Sequence, residues 1–324
     1  MALSNTGAKM EKPVVCLGIM VADVVARPMH AVPELGSLVL VDEMSLHTGG
    51  CAVSTGSALA RLGLPVKLIG KVGADPFGDF LVNELKKRGV DINGVKRDDE
   101  VGTSATMAMV APEGERRFVH YIGANASLTL DDIDFDVIKQ ASILHIAGSL
   151  VMPGIDGEPT AKILKTAKES GVVTFLDTVW DDTGRWNELL DPCLPYLDYF
   201  VPSLPEGQAI TGEKDPVAVA HALQARGVGV VGLKMGEDGS LVLSPEGEII
   251  HYPSYRVEVV NTTGAGDAYA AGFIAGVWHG WPLEKTALFA NAVGALCVIG
   301  LDASGGITTV ENTLTFMKNT ELRS

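Results

Sequence analysis

The composition and charge of the chain exclude several classes of function. Its 324 residues include 25 Lys and Arg against 40 Asp and Glu, a formal net charge of −15 at pH 7. Nucleic acid and anionic membrane surfaces are therefore unfavourable partners, because both would repel such an acidic chain. A hydrophobic content of 47% with 20% charged residues is typical of a globular protein rather than a disordered one. The length alone allows one large α/β domain or two domains.

The N-terminus, the apolar runs and the cysteines predict a cytoplasmic protein. Residues 1–12 lack the apolar segment of a signal peptide and are expected to be disordered. The apolar run 286–301 has 16 residues, which is short of the roughly 20 that cross a bilayer, and predicts a buried helix. The cysteines form no C-x-x-C pair and are expected to be reduced structural thiols: Cys16, Cys51, Cys193 and Cys297.

Apolar runs of strand length alternate with helix-period stretches along most of the chain. This alternation predicts βαβ units and a mainly parallel sheet that is flanked by helices. The predicted strands are 14–18, 66–72, 143–147, 172–177, 199–202 and 228–234, and the predicted helices are 52–62, 77–88, 160–170 and 217–226.

Two stretches break this alternation. Residues 37–48, and residues 103–111 with 116–121, are typical of β-hairpins without intervening helices. They predict a small accessory sheet, formed from about 19–48 and 100–124, that covers a site as a lid. Residues 13–324 are therefore expected to form one domain with a discontinuous lid.

Several familiar motifs are absent or misplaced. Residues 227–232 match G-x-G-x-x-G, but a helix precedes them and a strand follows, which is the reverse of a dinucleotide-binding unit. A P-loop is excluded because Gly70-Lys71 continues into Val72. No pair of histidines has metal-binding helical spacing, and no G-x-S-x-G nucleophile motif occurs.

The strongest local signal is Asn-Thr-Thr-Gly-Ala-Gly-Asp at 261–267. It follows the β-like residues 255–260 and precedes a small-residue helix at 268–278. A Gly-rich turn into a helix directs backbone N–H groups and the positive end of the helix dipole at one point, which favours an anion. Asp267 could cap this helix or act as a general base, and the flanking glycines favour the base.

From this motif outward the sequence resembles the ribokinase-like (PfkB) family of ATP-dependent carbohydrate kinases. The family's second signature matches 262–273, and its first matches 49–63 continued by 70–78. Smaller matches follow the family order between residues 14 and 307: 123–129, 202–206, 234–239 and 290–292. The resemblance implies a three-layer αβα fold with a mainly parallel central sheet and a small β-sheet lid.

The resemblance also implies the roles of individual residues. Asp267 would take the proton from the acceptor hydroxyl, while the N–H groups of Gly264, Ala265 and Gly266 stabilise the transferring phosphoryl group. Glu206 would hold Mg²⁺ through water. The implied ATP-binding residues are Ser203, Lys234, Gly236, Gly239 and Asn291, and the implied substrate-binding residues are Asp23, Gly49, Gly50, Ser54 and Asn125.

Departures from the family pattern bear on the substrate and on monovalent cations. Asp23 ends the first strand region, where the family uses a carboxylate to bind sugar hydroxyls, but Ser54 replaces a common Asn and makes ribose doubtful. No cluster of Arg or Lys lies near Asp23 in the sequence, which favours a non-phosphorylated acceptor. Asn261 and Asp302 differ from the family where its members bind a monovalent cation, so K⁺ activation stays open.

The sequence therefore predicts an ATP-dependent kinase of a small sugar or sugar acid, similar to ribokinase, fructokinase or 2-keto-3-deoxygluconate kinase. A nucleoside kinase is the nearest alternative, and it is less favoured because no aromatic residue lies near Asp23 or Gly49 in the sequence. A non-catalytic sugar-binding protein on the same fold is a further alternative. The expected partners are the small-molecule substrate and a second copy that pairs through the lid.

Overall fold

Strands and helices alternate through the parts of the chain that the computed structural model describes, residues 9–300 and 305–323. The strands in these residues are β1 (Val14–Gly18), β2 (Val21–Arg27), β3 (Glu43–Gly49), β4 (Val66–Gly73), β5 (Asp91–Asp98), β6 (Ala105–Val110), β7 (Arg116–Tyr121), β8 (Ile143–Ser149), β9 (Val173–Thr178), β10 (Tyr199–Phe200), β11 (Val230–Lys234), β12 (Ser240–Leu243) and β13 (Ile249–Tyr252). The helices are α1 (Cys51–Arg61), α2 (Pro76–Lys87), α3 (Phe135–Lys139), α4 (Glu158–Glu169), α5 (Trp186–Leu190), α6 (Leu204–Thr211), α7 (Pro216–Ala225), α8 (Ala265–Trp278), α9 (Leu283–Val298) and α10 (Val310–Asn319).

Nine of the strands form a large sheet in the order β13-β12-β11-β10-β9-β8-β1-β4-β5. All neighbours from β11 to β5 pair in parallel, and β12 and β13 add antiparallel pairs at one edge. Alternate residues of the central strand β1 face opposite sides, with Val14 and Cys16 in one core cluster and Val15 and Leu17 in the other. The predicted three-layer αβα fold is confirmed.

The two core clusters hold the helical layers against the sheet. Helices α1, α2, α8 and α9 pack on one face, and α3, α4, α6 and α7 pack on the other. Helix α8 is rich in small residues because it packs closely on α9: a Cβ on Gly272 would lie 2.7 Å from the Cα of Ala290. The apolar run at 286–301 falls mainly within α9 and is buried there. None of the helices in the described ranges is both long and apolar enough to span a membrane.

The remaining four strands form a second, small sheet in the order β3-β2-β6-β7. β2 pairs antiparallel with β3 and parallel with β6, and β6 and β7 form an antiparallel hairpin. The predicted accessory sheet is thus present, although its first hairpin strand begins at Glu43 rather than at residue 37. The small sheet joins the body through the chain between β1 and β2 and between β3 and α1.

Two local expectations are wrong, and a third lies mostly outside the described residues. Residues 255–260 form no strand, and only Tyr255 makes an isolated bridge, to Leu322. Asp23 does not end the first strand: the chain leaves the large sheet after Gly18, and Asp23 is the third residue of β2. Of residues 1–12, which the sequence predicts to be disordered, 1–8 lie outside the described residues. Residues 9–12 contact α8, since the N–H of Met10 donates to the Trp278 carbonyl at 2.8 Å and the Lys12 carbonyl accepts from the indole N–H at 3.0 Å.

The misplaced G-x-G-x-x-G pattern has the context that the sequence indicated. Helix α7 ends just before it, and β11 begins within it at Val230. A dinucleotide-binding turn needs the opposite order, with the helix N-terminus facing the pyrophosphate. The three glycines at 227, 229 and 232 therefore belong to a helix-to-strand connection and to the start of a buried strand.

Candidate active site

A cavity of about 830 Å³ lies between the small sheet and the N-terminal turn of α8. One face of all four small-sheet strands forms one wall, and residues 49–54 and 260–267 contribute to the opposite wall. Its volume falls within the range of about 300–1,000 Å³ that is usual for small-molecule sites. Asp23 and Asp267, on opposite walls, both line this cavity.

The cavity face of the small sheet is organised in rows that run across its strands. The first row contains His47, Asp23, Thr106 and His120, because Asp23 pairs with both His47 and Thr106 and Thr106 pairs with His120. The second row is more apolar and consists of Ser45, Val25, Ala108 and Phe118. The third row contains the pairs Glu43 with Arg27 and Val110 with Arg116.

The first row offers many hydrogen-bonding groups to a ligand. Burial raises the pKa of Asp23 to about 6, although a hydrogen bond from Thr106 and the nearby His47 oppose this shift. The Thr106 hydroxyl also lies 3.0 Å from Nδ1 of His120, and the Ser45 hydroxyl lies 2.7 Å from Nε2 of His47. A carboxylate flanked by hydroxyl and imidazole groups is suited to binding the hydroxyls of a polyol.

The diglycine at residues 49 and 50 brings the two walls together. A Cβ on Gly49 would lie 2.0 Å from Oδ2 of Asp23, so a larger residue would displace that carboxylate. Gly50 has φ +88°, and a Cβ there would lie 2.5 Å from the Ile19 carbonyl oxygen. Ser54 follows one turn later on α1 and also lines the cavity. Four of the five residues that the sequence assigned to the substrate therefore line the cavity, and Gly49 directly adjoins Asp23.

Asp267 lies in the first turn of α8, on the wall opposite Asp23. Burial raises its pKa, and three groups counteract this: the ammonium of Lys234 and hydrogen bonds with Cys51 and Ser54. The Thr55 hydroxyl donates to the backbone carbonyl of Asp267 at 3.3 Å, which ties α1 to α8. The positive end of the helix dipole also favours the ionised form of a carboxylate at this position.

The turn before Asp267 provides backbone donors, but Ala265 is not one of them. Gly264, with φ +79°, is the N-cap residue of α8, a backbone conformation that glycine adopts readily. The N–H of Ala265 donates to the Thr262 carbonyl at 3.2 Å and is therefore occupied within the turn. No acceptor among the described residues takes the N–H groups of Gly264, Gly266 or Asp267, which leaves these donors for an anion.

A buried ion pair lies beneath the N-terminal turn of α8. Nζ of Lys234, at the end of β11, lies 2.7 and 2.8 Å from the two carboxylate oxygens of Asp177 near the end of β9. A Cβ on Gly266 would lie 3.3 Å from the same Nζ, so the lysine lies directly below the turn. Burial raises the pKa of Asp177 to about 7 in spite of Lys234.

Glu206 and Ser203 meet at the start of α6. The Glu206 carboxylate accepts hydrogen bonds at 2.7 Å from both the backbone N–H and the hydroxyl of Ser203, which caps the helix. Glu206 is only 8% exposed, and its charge acts on Asp177, Lys234 and Asp267. Glu206 therefore interacts electrostatically with the same group of residues as Asp267, the predicted base.

The other three residues expected near ATP differ from one another in their contacts. Gly236 has φ +60°, and a Cβ there would meet no atom within 4 Å, so this residue lies on an open surface. Gly239 is needed for packing, because a Cβ there would lie 2.0 Å from the Tyr252 carbonyl oxygen. The Asn291 amide donates to the carbonyls of Tyr252 and Pro253 at 3.0 and 3.2 Å and joins α9 to the chain after β13.

One of the residues that the sequence assigned to the substrate does not line the cavity. Asn125 is buried, and its side chain pairs with both the N–H and the carbonyl of Met20 at 3.0 and 3.1 Å. It fixes the turn from β1 to β2 and so positions Asp23 from a distance, because that turn determines where β2 begins. Asp302 lies outside the described residues. Asn261 lines the cavity, where its amide oxygen accepts from Arg116 and from the Thr263 N–H.

Sequence reasoning missed the cavity-facing residues of β3, β6 and β7. The missed residues include His47, Thr106, Phe118, His120 and Arg116. The signal that could have found them is the alternation within the hairpin 103–121, in which every second residue faces Asp23 once the register is known. Along the chain no aromatic residue and no cluster of basic residues lies near Asp23, but in the structure Phe118, Arg27 and Arg116 line the same cavity.

The acidic residues fit a magnesium ion that is shared with a substrate better than a metal held by protein alone. No group of three or more His, Cys, Asp or Glu side chains in residues 9–300 and 305–323 could hold a metal ion. Mg²⁺ in phosphoryl-transfer sites is commonly bound by one or two carboxylates, by waters and by substrate phosphates. Glu206 and Asp267, which interact electrostatically, provide such carboxylates.

Comparison with known proteins assigns the chain to a family. The sequence profile of the pfkB family carbohydrate kinases matches residues 11–309. The chain belongs to this PfkB family. Among its PfkB relatives is a 2-dehydro-3-deoxygluconokinase of Bacillus subtilis, 29% identical over 88% of the chain and 90% of that protein. A fructokinase of Klebsiella pneumoniae is 30% identical over 81% of the chain and 88% of that protein.

Solved structures agree with the PfkB assignment at the level of the fold. The Arabidopsis thaliana ribokinase complexed with ribose and ATP superimposes with a TM-score of 0.84 at 23% identity, covering 95% of this chain and 99% of that one. The predicted ribokinase-like fold with its smaller sheet is therefore confirmed, and the large and small sheets of this PfkB protein correspond to a known architecture.

Proposed function

We propose that the protein transfers the γ-phosphoryl group of ATP to a hydroxyl of a small, non-phosphorylated sugar or sugar acid. The observation that carries this proposal is the placement of Asp23 and Asp267 on opposite walls of one cavity. A polyol held by the row around Asp23 would present a hydroxyl towards Asp267, beside backbone donors that favour an anion. The sugar and sugar-acid kinases among the relatives support the same class of substrate.

In this proposal each wall has its own task. Asp267 accepts the proton of the attacking hydroxyl, and the N–H groups of Gly264 and Gly266 stabilise charge on the phosphoryl group. Ala265 contributes through the shape of the turn, because its own N–H is bonded to Thr262. Asp23 binds the acceptor hydroxyls, with Gly49, Gly50 and Ser54 forming the adjacent wall and Asn125 holding the Met20 turn behind them.

ATP would lie on the other side of the α8 turn. We assign to this nucleotide site Ser203, Lys234, Gly236, Gly239 and Asn291, as walls and capping groups rather than as a single set of direct contacts. Glu206 would hold Mg²⁺ through water, and the ion would neutralise charge on the phosphates. Asn261, which lies next to Thr262 and Thr263, and Asp302 are the candidates for a K⁺ site.

The small sheet would act as a lid on a single kinase domain. It carries the acceptor-binding row on its inner face, so closure over the sugar would exclude water that otherwise competes for the phosphoryl group. We also infer that the enzyme acts in the cytoplasm, because its four cysteines form no disulfide.

The outer face of the lid is the candidate surface for a homodimer. Met44, Met107 and Val119 are 66%, 47% and 60% exposed there, beside Leu46 and Tyr121. An apolar sheet face of this kind is unusual on a monomer, and a second lid would cover it. Replacing Met107 and Val119 by Glu should convert a dimer to a monomer in light scattering, whereas a monomeric wild type would contradict this proposal.

A nucleoside acceptor is the second candidate function, and one observation favours it. Phe118, in the second row of the small sheet, lines the cavity and is 61% exposed, so it could stack on a base. The hydrogen-bonding row around Asp23 suits the hydroxyls of either class of acceptor, and the named sugar-kinase relatives favour the sugar.

The test is a phosphorylation assay on three acceptor panels: neutral sugars, sugar acids and nucleosides. With ATP and Mg²⁺, ADP formation and the mass of the product are followed for the wild type and for Glu311→Gln, a remote first-turn carboxylate on α10 that serves as the control. We expect turnover with a sugar or sugar acid and equal rates for the two proteins. Turnover with nucleosides alone would establish the second candidate, and ligand binding without turnover would indicate a non-catalytic sugar-binding protein.

A further inference from the structure

Arg116 links the small sheet to the phosphate-binding turn. It begins β7 and lies on the cavity face, in the third row of the sheet. One of its terminal nitrogens donates to the Asn261 side-chain oxygen at 2.7 Å, and the other donates to the Thr263 hydroxyl. The guanidinium thus crosses the cavity from the lid to the residue that directly precedes Gly264.

Arg27, the other arginine in the third row of the small sheet, has different surroundings from Arg116. Arg27 forms a salt bridge with Glu43 at 2.7 Å, which compensates its charge within the lid. Within residues 9–300 and 305–323, no carboxylate oxygen lies within 4.0 Å of Arg116. Its two hydrogen-bond acceptors there are an amide oxygen and a hydroxyl, which are neutral, so the charge of Arg116 is directed into the cavity without compensation.

The negative charge of the cavity lining favours a cation at this position. This lining includes the carboxylates of Asp23, Asp42, Glu43 and Asp267, and the chain as a whole carries a net charge of −15. The ammonium of Lys234 beneath the α8 turn is paired with Asp177, so backbone dipoles and bound Mg²⁺ would be the main groups that offset this negative field for an approaching triphosphate. A guanidinium has five N–H donors, of which Arg116 uses two, and its fork geometry matches phosphoryl oxygens.

We propose that Arg116 is a further catalytic residue, which contacts the transferring γ-phosphoryl group from the lid side. This inference rests on the proposed function. In the transfer, the bond between the γ-phosphorus and the β,γ-bridging oxygen breaks and its electron pair stays on ADP, while the acceptor oxygen bonds to phosphorus. The hydroxyl proton goes to Asp267, and Arg116 stays protonated throughout and stabilises the charge on the equatorial oxygens.

This placement couples acceptor recognition to chemistry. The acceptor-binding row and Arg116 belong to the same small sheet, so the lid position in which Arg116 reaches the α8 turn also places the first row over the acceptor. An acceptor bound to the first row would stabilise this position, whereas water would not. The arrangement thereby disfavours ATP hydrolysis relative to transfer to the sugar.

The kinetic test compares Arg116→Gln, Arg116→Lys and Arg117→Gln. Gln can still donate to Asn261 and Thr263 but lacks the charge, and Lys keeps the charge without the fork. Arg117 is the matched control, since it is the next residue on β7, is exposed and faces the opposite side of the sheet. We expect kcat of Arg116→Gln to fall about 100-fold or more with every acceptor, by analogy with other phosphoryl-contacting groups. Arg116→Lys should retain part of the activity, and Arg117→Gln all of it.

A binding measurement separates contact with the phosphoryl group from support of the turn. Titration calorimetry with AMP-PNP and with ADP should show a weaker affinity of Arg116→Gln for AMP-PNP by about tenfold and an unchanged affinity for ADP. Equal losses for the two nucleotides, or an unchanged kcat, would overturn the proposal. So would a rise in KM for acidic acceptors alone, which would assign Arg116 to an acceptor carboxylate. If the wild type phosphorylates no acceptor, the proposed function fails, and the nucleotide comparison still decides the contact of Arg116.

Discussion

Asp23 and Asp267 are carboxylates on opposite walls of one cavity, yet their surroundings differ in kind. Asp23 lies within a sheet, where a hydroxyl and an imidazole oppose the effect of burial and its pKa is raised to about 6. Asp267 lies at a helix N-terminus above the ammonium of Lys234, which counteracts the pKa increase that burial causes. This difference supports the proposal that one wall holds the acceptor hydroxyls and that the other carries a proton acceptor whose pKa increase is limited by a nearby cation.

The largest expected effect comes from removing the base. Asp267→Asn keeps the size of the side chain but cannot accept the hydroxyl proton, so kcat should fall about 10³-fold. The acceptor affinity, measured by calorimetry, should stay within a few-fold of the wild type, because Asp23 and its row are unchanged. A variant that retains kcat within tenfold would show that Asp267 is not the base.

The second-largest effect should appear in the affinity for the acceptor rather than in kcat. Asp23→Asn removes the charge that strengthens hydrogen bonds to the acceptor, a loss of about 1.5–3 kcal/mol. The dissociation constant of the sugar should therefore increase about 10- to 100-fold in calorimetry. Asp42→Asn is the matched control, since Asp42 lines the same cavity but lies outside the first row. Equal effects of both changes would contradict a specific role of Asp23.

Substitutions in the ion pair beneath Asp267 should shift the pKa of Asp267 while leaving its carboxylate in place. Lys234→Met removes the cation that favours the ionised base, so the acidic limb of kcat/KM should move to higher pH by about one unit. Asp177→Asn leaves the Lys234 charge uncompensated and should move the same limb to lower pH. Shifts in the same direction for both variants would show that the effect comes from disrupted packing rather than from charge.

A smaller and graded effect should follow from the pKa of Asp23. Acceptor affinity should be constant above pH 6 and should fall about tenfold per pH unit below it, as Asp23 becomes protonated. Because the folded pKa is raised from 3.8 to about 6, Asp23 binds its proton more tightly in the folded state. Its contribution to the free energy of unfolding therefore decreases as pH rises from about 4 to 6. Asp23→Asn should flatten both profiles, which calorimetry and urea unfolding at several pH values would measure.

The large sheet could be predicted from sequence because its strands are buried on both faces. Runs such as Val14–Gly18 are apolar throughout, and the helices between them carry ordinary start and stop signals. The turn at 261–267 was also predictable, since its glycines and Asp267 act locally. Residues 255–260 were misread as a strand: Tyr255 and Val257 pack in a small cluster, Val259 and Val260 are exposed, and only Tyr255 pairs, in an isolated bridge.

The inner face of the small sheet could not be predicted in the same way. Its functional rows depend on the register between β2, β6 and β7, and β2 is far from the other two strands in the chain. Sequence alone places Asp23 by its match to a family pattern, and it gives no indication that His120 or Phe118 lies beside it. Asn125 was likewise assigned to the substrate from its match to the family pattern, although its amide is hydrogen-bonded to the backbone of Met20.

The most direct test of the division between the two walls is the rate of phosphoryl transfer as a function of acceptor concentration for Asp23→Asn and Asp267→Asn. If Asp23 holds the acceptor and Asp267 takes its proton, saturating sugar should restore the rate of Asp23→Asn to within about tenfold of the wild type. No concentration of sugar should restore Asp267→Asn. Recovery of Asp267→Asn at high acceptor concentration, or a rate of Asp23→Asn that stays low at saturation, would contradict the account.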